Sequence, residues 1–297
     1  MDTEYLQYRA IDLLSRALPL RLAYRLAGIA SRAMCAMDAK GRPAVISNLR
    51  RILRHKGLQP TERELQRLAR ETYRNFAKYL VDFFALRGMA RAAVDRIVSI
   101  ENEHLLADAF ALGRGVVGVS AHLSTWEVGG LALTARGIPV VGVYFPMRSR
   151  RTADLFDRRR RERGLAMVPF GRAVGAVADA IRRNAFIALA GDIDFSMRDD
   201  LADFCGAPAR MPIGPAKLCA RLKAPVLPCF VVRRSDDTFV FRFHPPIVPT
   251  ESTTVEEVRE RIRAAVEGEV MENPTHWFVF IDFWDIEASR RLAAEGF

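Results

Sequence analysis

The strongest indication of the fold lies in the run GVVGVSAHLSTWE, residues 115–127. Its first half is apolar and β-branched and predicts a buried strand that ends at Ser120, whereas the small and aliphatic residues of Val128–Ala135 predict a helix. His122 would then lie at the carboxyl end of a strand, where open α/β sheets usually bind ligands. A neutral imidazole in that position can accept a proton from a hydroxyl group, and a carboxylate such as Glu127 can fix its tautomer.

The same residues also fit a purely structural role. Ser124 and Glu127 have the spacing of a helix capping box, in which Ser124 is the N-cap residue and Glu127 hydrogen-bonds back to its amide. A histidine at the end of a strand can likewise be a packed residue with no chemical task. The spacing of His122 and Glu127 alone leaves both interpretations open.

Beyond residue 96, segments of strand and helix character alternate, which predicts an α/β fold with a mostly parallel central sheet flanked by helices. A hairpin of two antiparallel strands is indicated around Asp236. The predicted strands are Ile97–Ile100, Gly115–Ser120, Val140–Tyr144, Ala166–Val168, Ile187–Ala190, Val226–Val232, Phe239–Phe243 and Phe278–Phe283.

Residues 1–95 contain few strand signals and predict an N-terminal helical region that precedes an α/β core of residues 96–297. Thr61 and Glu64 indicate where one of its helices begins, as the N-cap residue and the third residue of a capping box. We therefore expect two domains with a boundary near residue 95.

The chain is basic, with 45 lysine and arginine residues against 35 aspartate and glutamate residues. The net charge of +10 favours anionic partners such as phospholipid headgroups, acyl carrier protein, coenzyme A or nucleic acid. The sequence has no recognised nucleic-acid-binding motif, so we expect no nucleic-acid partner. Charged residues interrupt positions 1–40, which contain no run of the ~20 apolar residues that a membrane span requires.

The N-terminal sequence is amphipathic instead. Leu22, Leu26 and Ile29 share one helical stripe, and arginines occupy positions 21, 25 and 32 on another face. This pattern is typical of a helix lying in a membrane interface beside anionic lipid, and equally of a helix packed on the core of its own protein.

A His-x-x-x-x-Glu spacing, from His122 to Glu127 with Trp126 before the acid, resembles the HX4E motif of the bacterial lipid A biosynthesis acyltransferases. These late acyltransferases belong to the larger glycerophosphate-acyltransferase-like superfamily. Further similar segments follow in the same order over nearly the whole chain: Asn48–Leu53, Tyr144–Pro146, Arg161–Gly164, Gly191–Asp194, Asp203–Gly206 and Gly214–Leu218. The resemblance implies a glycerol-3-phosphate acyltransferase-like fold and an O-acyltransferase in which His122 is the general base and Glu127 orients it.

Three features depart from the family pattern. Thr125 stands where Asn is usual, and Phe145 stands where Arg is usual. Residues 274–284 replace a segment that is normally strongly basic. The last difference concerns the acceptor lipid more than the chemistry of transfer.

Arginines cluster between Arg148 and Arg163, directly after the predicted strand Val140–Tyr144. That strand should end at the same sheet edge as His122, so the cluster could bind phosphate groups of the acceptor or the donor, or form a solvated helix face. Arg148 and Arg161 are the candidate substrate-binding residues, Arg161 because it matches the arginine before the glycine in the family pattern.

Asp192 and Asp194 follow the predicted strand Ile187–Ala190 and are further candidates for substrate binding. An Asp-x-Asp pair at a strand end can coordinate magnesium, but the sequence has no phosphate-binding loop to accompany it. The resemblance points instead to carboxylates that hold arginines or acceptor hydroxyls. We therefore expect no metal and no cofactor.

Together these observations predict a membrane-associated acyltransferase at the cytoplasmic face of the bacterial inner membrane, peripheral or monotopic. It would transfer a fatty acyl chain from acyl carrier protein or coenzyme A to a hydroxyl of a lipid A precursor or related glycolipid. Two alternatives stay open. One is another lipid acceptor, such as a lysophospholipid or an aminolipid. The other is a non-catalytic protein of the same fold that binds anionic surfaces.

Overall fold

A computed structural model describes residues 2–145, 147–195 and 200–295. Pro146, from the segment Tyr144–Pro146, lies outside the described residues. The elements before the sheet are α1 (Thr3–Ala17), α2 (Leu20–Met37), α3 (Gly41–His55), α4 (Glu62–Ala85) and α5 (Arg91–Val94).

The elements that build the sheet and its flanks begin at Val98. They are β1 (Val98–Glu101), α6 (Glu103–Ala111), β2 (Val116–Ser120), α7 (Trp126–Thr134), β3 (Val140–Tyr144), α8 (Arg150–Arg161), β4 (Leu165–Pro169), a 3-10 turn (Phe170–Arg172), α9 (Ala173–Arg182), β5 (Phe186–Ala190), β6 (Leu201–Phe204), β7 (Ala207–Arg210), α10 (Gly214–Leu222), β8 (Val226–Arg233), β9 (Phe239–Phe243), α11 (Val255–Glu272), a 3-10 turn (Pro274–His276) and α12 (Ile286–Glu295).

Seven strands form one sheet in the order β1-β9-β8-β2-β5-β3-β4. Strands β8, β2, β5, β3 and β4 run parallel to one another, and β9 pairs antiparallel with β8 and parallel with β1. The predicted α/β fold with a mostly parallel sheet is confirmed, as is the antiparallel hairpin near Asp236. The carboxyl ends of β8, β2 and β5 therefore meet at one edge of the sheet.

Strand β2 lies in the interior of the sheet and is buried on both faces. Val117 and Val119 contribute to one apolar cluster and Val116 to another on the opposite face. Strands covered by helices on both sides read as continuous apolar runs, which is why the sequence of β2 lacks polar alternation. This burial holds the strand end that carries His122 in a rigid frame.

The predicted strand Phe278–Phe283 is wrong. Residues 278–283 are irregular, and the segment makes one isolated antiparallel bridge, between Trp277 and Leu123. Its backbone groups are satisfied by a side chain instead. The Asn48 amide on α3 donates to the carbonyls of Val279 (3.2 Å) and Ile281 (2.8 Å) and accepts from the Phe283 amide (3.0 Å). An apolar run indicates burial, but burial does not require a strand.

The antiparallel pair β6 and β7 was not predicted from the sequence. Its strands are short, and the turn between them consists of Cys205 (φ 50°) and Gly206 (φ 73°). Two consecutive residues with positive φ are typical of a type I′ hairpin turn, for which glycine is well suited at the second position. A four-residue strand carries too little periodicity to be recognised on its own.

Helix α4 connects the N-terminal helices to the sheet. It begins with the predicted capping box, since Thr61 accepts from the Glu64 amide and Glu64 accepts from the Thr61 amide. Towards its end, Tyr79, Phe83 and Phe84 are buried in a cluster with Phe156 from α8 and Phe278. The first five helices end before β1 begins, while the division into two domains stays a prediction.

Helices α1 and α2 leave apolar side chains in solvent. The residues that are 41–65% exposed are Leu6, Leu13, Leu14, Leu22, Leu26 and Ile29. Within the described residues, none of the helices combines the length and the apolar character that a membrane span needs.

A buried ionic network joins α4 to the sheet edge. Asp82 is fully buried and accepts hydrogen bonds from Tyr24 Oη (2.5 Å), Thr125 Oγ1 (3.0 Å) and the guanidinium of Arg233. The Arg233 amide donates to Ser124 Oγ (3.1 Å). Because Ser124 and Thr125 lie two and three residues after His122, this network fixes the loop that carries the histidine.

We predict that Asp82→Ala lowers the free energy of unfolding by about 3–5 kcal/mol, because it removes the fully buried partner of Arg233 and leaves that buried guanidinium only the partly exposed carboxylate of Asp237. Asp179→Ala removes the exposed ion pair with Arg182 on α9 and should cost less than about 1 kcal/mol. Urea denaturation followed by circular dichroism measures both variants. Equal losses would contradict a central role for the network.

Candidate active site

His122 lies two residues beyond the end of β2, at the carboxyl edge of the parallel strands, where the sequence predicted it. Its Nδ1 is 2.9 Å from Asp192 Oδ1, and its backbone amide donates to Asp192 Oδ2 at 2.9 Å. The imidazole is partly accessible, with 19% of its side chain exposed. A carboxylate on Nδ1 favours the tautomer in which Nδ1 carries the proton, which makes Nε2 the basic nitrogen.

Asp192 is completely buried beside the histidine. Its Oδ2 also accepts a hydrogen bond from the indole Nε1 of Trp277 at 2.9 Å. Burial alone would raise the pKa of this carboxyl group, but the attraction of His122 and the hydrogen bonds from His122 and Trp277 outweigh burial and lower it. The carboxylate is thus held ionised.

The pairing of β2 with β5 sets the distance between His122 and Asp192. The two strands are in register up to Ser120 and Ala190, and the Gly191 amide extends the ladder by donating to the Ser120 carbonyl at 2.7 Å. A Cβ atom at position 191 would lie 2.5 Å from Val119 Cγ1, so glycine is required for this close approach. His122 and Asp192, each two residues beyond the last paired residue of its strand, then face each other across the sheet edge.

The capping box considered for Ser124 and Glu127 does not form. Helix α7 begins at Trp126 with Thr125 as its N-cap residue, and the Thr125 side chain makes no capping hydrogen bond. Ser124 instead has a φ of 52°, donates its amide to the His276 carbonyl (2.6 Å) and accepts from the Arg233 amide. The hydroxyl groups that could cap α7 are used by the buried network at β8.

Glu127 is buried and binds arginines of the α8 segment. Its Oε1 accepts from Arg160 Nε at 2.9 Å and lies 2.8 Å from Arg160 Nη2, and its Oε2 lies 3.9 Å from Arg163 Nη1. Burial alone would lower the pKa of Arg160, but Glu127 outweighs it and raises that pKa; burial dominates at Arg163 and lowers its pKa. The expectation that Glu127 orients His122 is not tested by these contacts and stays a prediction.

Trp126 lies between the His122–Asp192 pair and the neighbouring Glu127, which binds Arg160. Its indole stacks on Tyr79 with ring centroids 4.4 Å apart and meets the His122 ring edge-on at 5.3 Å. The pKa of Tyr79 is raised well above its ordinary value by burial and by the nearby Glu127 carboxylate. These rings form an apolar wall on one side of His122.

The remaining candidate residues lie in different surroundings. Arg161 is on the exposed face of α8, where 72% of its side chain is accessible and its guanidinium pairs with Asp157 at 2.5 Å. Arg148 is exposed in the loop before α8. Asp194 is buried and lies 3.3 Å from a guanidinium nitrogen of the buried Arg210. The structure thus brings His122 and Asp192 together, whereas Arg161 does not belong to their cluster.

Sequence reasoning missed Trp277, Arg160 and Arg163. The two arginines could have been found from helical spacing, because positions 160 and 163 fall near the face that also carries the buried Phe156. The role of Trp277 had no local signal, since its contact with Asp192 joins residues 85 positions apart.

A histidine held by a buried carboxylate at an accessible sheet edge can take a proton from a hydroxyl group. This arrangement is typical of enzymes that transfer a group to an alcohol by general base catalysis. The chain belongs to the bacterial lipid A biosynthesis acyltransferase family, whose model matches residues 5–285, and it is an acyltransferase. The family suggested by the HX4E motif is confirmed.

Similar proteins include phosphatidylinositol mannoside acyltransferases. The chain is 26% identical over 230 residues to that of Mycobacterium tuberculosis, covering 73% of this chain and 71% of the relative. It is 25% identical over 295 residues to that of Mycolicibacterium smegmatis, covering 96% and 93%. The crystal structure of the 1-acyl-sn-glycerophosphate acyltransferase of Thermotoga maritima matches with a TM-score of 0.40 and 12% identity, covering 88% of this chain and 100% of that chain.

A double-mutant cycle tests how strongly Glu127 and Arg160 are coupled. We expect Glu127→Gln, Arg160→Gln and the double variant to give a coupling free energy of about 1–3 kcal/mol, because either single change leaves a buried charge without its partner. The exposed pair of Asp179 and Arg182 should give less than about 1 kcal/mol in the same urea experiment. Additive effects at positions 127 and 160 would show that the buried contact does not stabilise the fold.

Proposed function

We propose that this acyltransferase moves a fatty acyl chain from a thioester of acyl carrier protein or coenzyme A to a hydroxyl group of a glycolipid. The observation that carries the proposal is the His122 imidazole bound through Nδ1 to the buried Asp192 carboxylate at the accessible edge of the sheet. His122 acts as the general base, and Asp192 fixes its tautomer and stabilises the imidazolium as it forms.

The reaction proceeds by direct transfer. Nε2 of His122 takes the proton of the acceptor hydroxyl while its oxygen attacks the thioester carbonyl carbon. The tetrahedral oxyanion is stabilised by backbone amides in the first turn of α7. Its collapse breaks the carbon–sulfur bond, and the imidazolium returns the proton to the thiolate, which leaves as the free thiol.

In this proposal Glu127 acts through the first turn of α7 rather than through a bond to the histidine. Its carboxylate is bound to Arg160, and the neighbouring Trp126 contacts the His122 ring. Glu127 would thereby help to orient His122 and offset its developing charge across the indole.

The acceptor is a glycolipid related to a lipid A precursor. The chain's relatives are named phosphatidylinositol mannoside acyltransferases, which supports a phosphorylated glycolipid more than a lysophospholipid or an aminolipid. Exposed Arg148 and Arg161 would bind anionic groups of the acceptor or donor, and Asp194 would hold Arg210 or an acceptor hydroxyl in place.

An aromatic group at the same sheet edge suits a fatty chain. Phe145 follows β3 and stacks on Phe195 at 4.7 Å, and Phe170 follows β4 at 6.0 Å from Phe145. Phe170 is 50% exposed. Such a surface favours an acyl chain because covering it removes apolar area from water.

The protein meets the cytoplasmic face of the inner membrane as a peripheral or monotopic protein. The exposed leucines of α1 and α2 would enter the interface, and the adjacent arginines would contact anionic headgroups. A non-catalytic protein of the same fold would also bind such a surface, so the assay below separates the two possibilities.

His122→Ala should reduce acyl transfer by roughly 10²–10⁴-fold, because it removes the general base. His122→Asn is the sharper variant, since its amide can still donate to Asp192 while lacking a basic nitrogen. The assay incubates a radiolabelled acyl thioester with total polar lipids, and mass spectrometry of the product identifies the acceptor. The exposed His104 provides the control, and His104→Ala should be fully active. Full activity of both His122 variants would exclude the proposed base, and an inactive wild-type chain would favour the non-catalytic alternative.

Binding to anionic vesicles should weaken as salt rises, because ions screen the attraction between arginines and headgroups. The Debye length falls to about 3 Å at 1 M salt. Ile29→Asp should weaken binding further by placing a charge on the exposed face of α2. Leu58→Asp changes a leucine of similar exposure outside α1 and α2 and should bind as the wild type does. Co-sedimentation measures all three proteins. If neither high salt nor Ile29→Asp reduces the fraction of protein that sediments with the vesicles, this mode of association is wrong.

A further inference from the structure

We infer that Trp277 is a positioning residue for the reaction, which acts by fixing the carboxylate that holds His122. The inference rests on the proposed function, in which His122 is the general base. It concerns a residue of the C-terminal segment that belongs to neither the HX4E motif nor the arginine cluster. The observation behind it is the hydrogen bond from Trp277 Nε1 to Asp192 Oδ2 at 2.9 Å.

The two oxygens of Asp192 have different partners. Oδ2 accepts from the His122 amide and from the Trp277 indole, and Oδ1 contacts His122 Nδ1. Two donors on Oδ2 fix the rotation of the carboxylate about its last bond. Oδ1 is therefore presented to the imidazole in one orientation, and the indole, being a donor only, cannot reverse this pattern.

The backbone around Trp277 grips the loop that carries the histidine. The Phe278 amide donates to the His122 carbonyl at 2.8 Å, and the Ser124 amide donates to the His276 carbonyl at 2.6 Å. Trp277 and Leu123 form an antiparallel bridge between these two bonds. His122 is thus held on its backbone by the same segment whose side chain holds its carboxylate partner.

Trp277 itself is held by packing. It is 3% exposed, and its ring lies 4.8 Å from Phe283, 5.9 Å from Phe204 and 6.2 Å from Trp284. A side chain fixed in this way costs little further entropy when it orders its hydrogen-bond partner. The indole is therefore a rigid donor.

The charged groups on the surrounding elements are paired with one another. Glu127 on α7 binds Arg160, Asp82 on α4 binds Arg233, and Asp194 after β5 faces Arg210. His276 lies beside Arg233 and Lys78, and burial together with these cations lowers its pKa to about 4. The acid limb of the activity profile is therefore assigned to the proposed base, His122, rather than to these groups.

Removal of the indole donor has a defined electrostatic consequence. A carboxylate that loses a hydrogen bond carries more charge at its oxygens and attracts a proton on the adjacent imidazole more strongly. The base is active in its neutral form, so more of the enzyme is inactive at low pH. The acid limb of the kcat/KM profile consequently moves to higher pH.

Two changes at position 277 test the inference. Trp277→Phe keeps an aromatic ring and removes the N–H, and replacement by 3-benzothienylalanine keeps the shape of the indole with sulfur in place of the N–H. In both variants we expect the acid limb to move up by about one pH unit. We expect kcat to fall on the order of tenfold, because a hydrogen bond to a charged group is lost. KM should stay near its wild-type value, since the Trp277 side chain is buried and not available to contact the substrate.

Trp284→Phe is the matched control. The Trp284 indole belongs to the same aromatic cluster, but its Nε1 donates to the Phe204 carbonyl at 2.8 Å and not to Asp192. Its loss should leave the acid limb in place. Equal profiles for the wild type and the benzothienyl variant, or equal shifts for positions 277 and 284, would overturn the positioning role. Those outcomes leave the proposed function intact, because it fails on different results: an inactive wild-type chain, or full activity of the His122 variants.

Discussion

The ionised carboxylate of Asp192 is the constraint on which the site depends. A charge with no exposed surface is costly unless hydrogen-bond donors and an opposite charge surround it. Here three donors come from two parts of the chain: the amide and the imidazole of His122 after β2, and the indole of Trp277 near the C-terminus. The sheet, the loop after β2 and the C-terminal segment must all be in place before the charge is compensated. Folding and assembly of the site are therefore the same event.

This requirement explains why residues 277–283 remain irregular. A strand would direct their backbone groups to a neighbouring strand, whereas here those groups bind Asn48 and the His122 loop. The N-terminal helix α3 thereby holds the segment that contacts the loop of His122. Asn48 belongs to one of the family-like segments of the sequence, and its contacts give that likeness a physical basis: one amide side chain satisfies three backbone groups of a segment more than 200 positions away.

Local pattern was sufficient for the elements whose burial follows a simple period. The continuous apolar run of β2, the hairpin of β8 and β9, and the capping box of α4 could all be predicted from neighbouring residues. The local pattern was insufficient where a side chain has several possible partners and contacts between distant residues decide which one it binds. Ser124 and Glu127 fit a capping box. In the structure, however, the Ser124 hydroxyl accepts from the Arg233 amide, and the Glu127 carboxylate binds the Arg160 guanidinium. Arg161 fits the family pattern, but it is Arg160 whose side chain turns inward to Glu127.

The surroundings of the cysteines favour direct transfer over a covalent acyl-enzyme. A cysteine nucleophile must reach the substrate as a thiolate. All four thiols are free and buried, and burial raises the pKa of Cys205 and Cys229 to about 12 and that of Cys219 to about 11. The pKa of Cys35 is raised as well, again chiefly by burial. These groups are buried and protonated at neutral pH, whereas the His122 imidazole is partly exposed. His122 is therefore better placed to activate the acceptor hydroxyl than to activate a cysteine nucleophile. One base can serve both the attack and the protonation of the leaving thiolate.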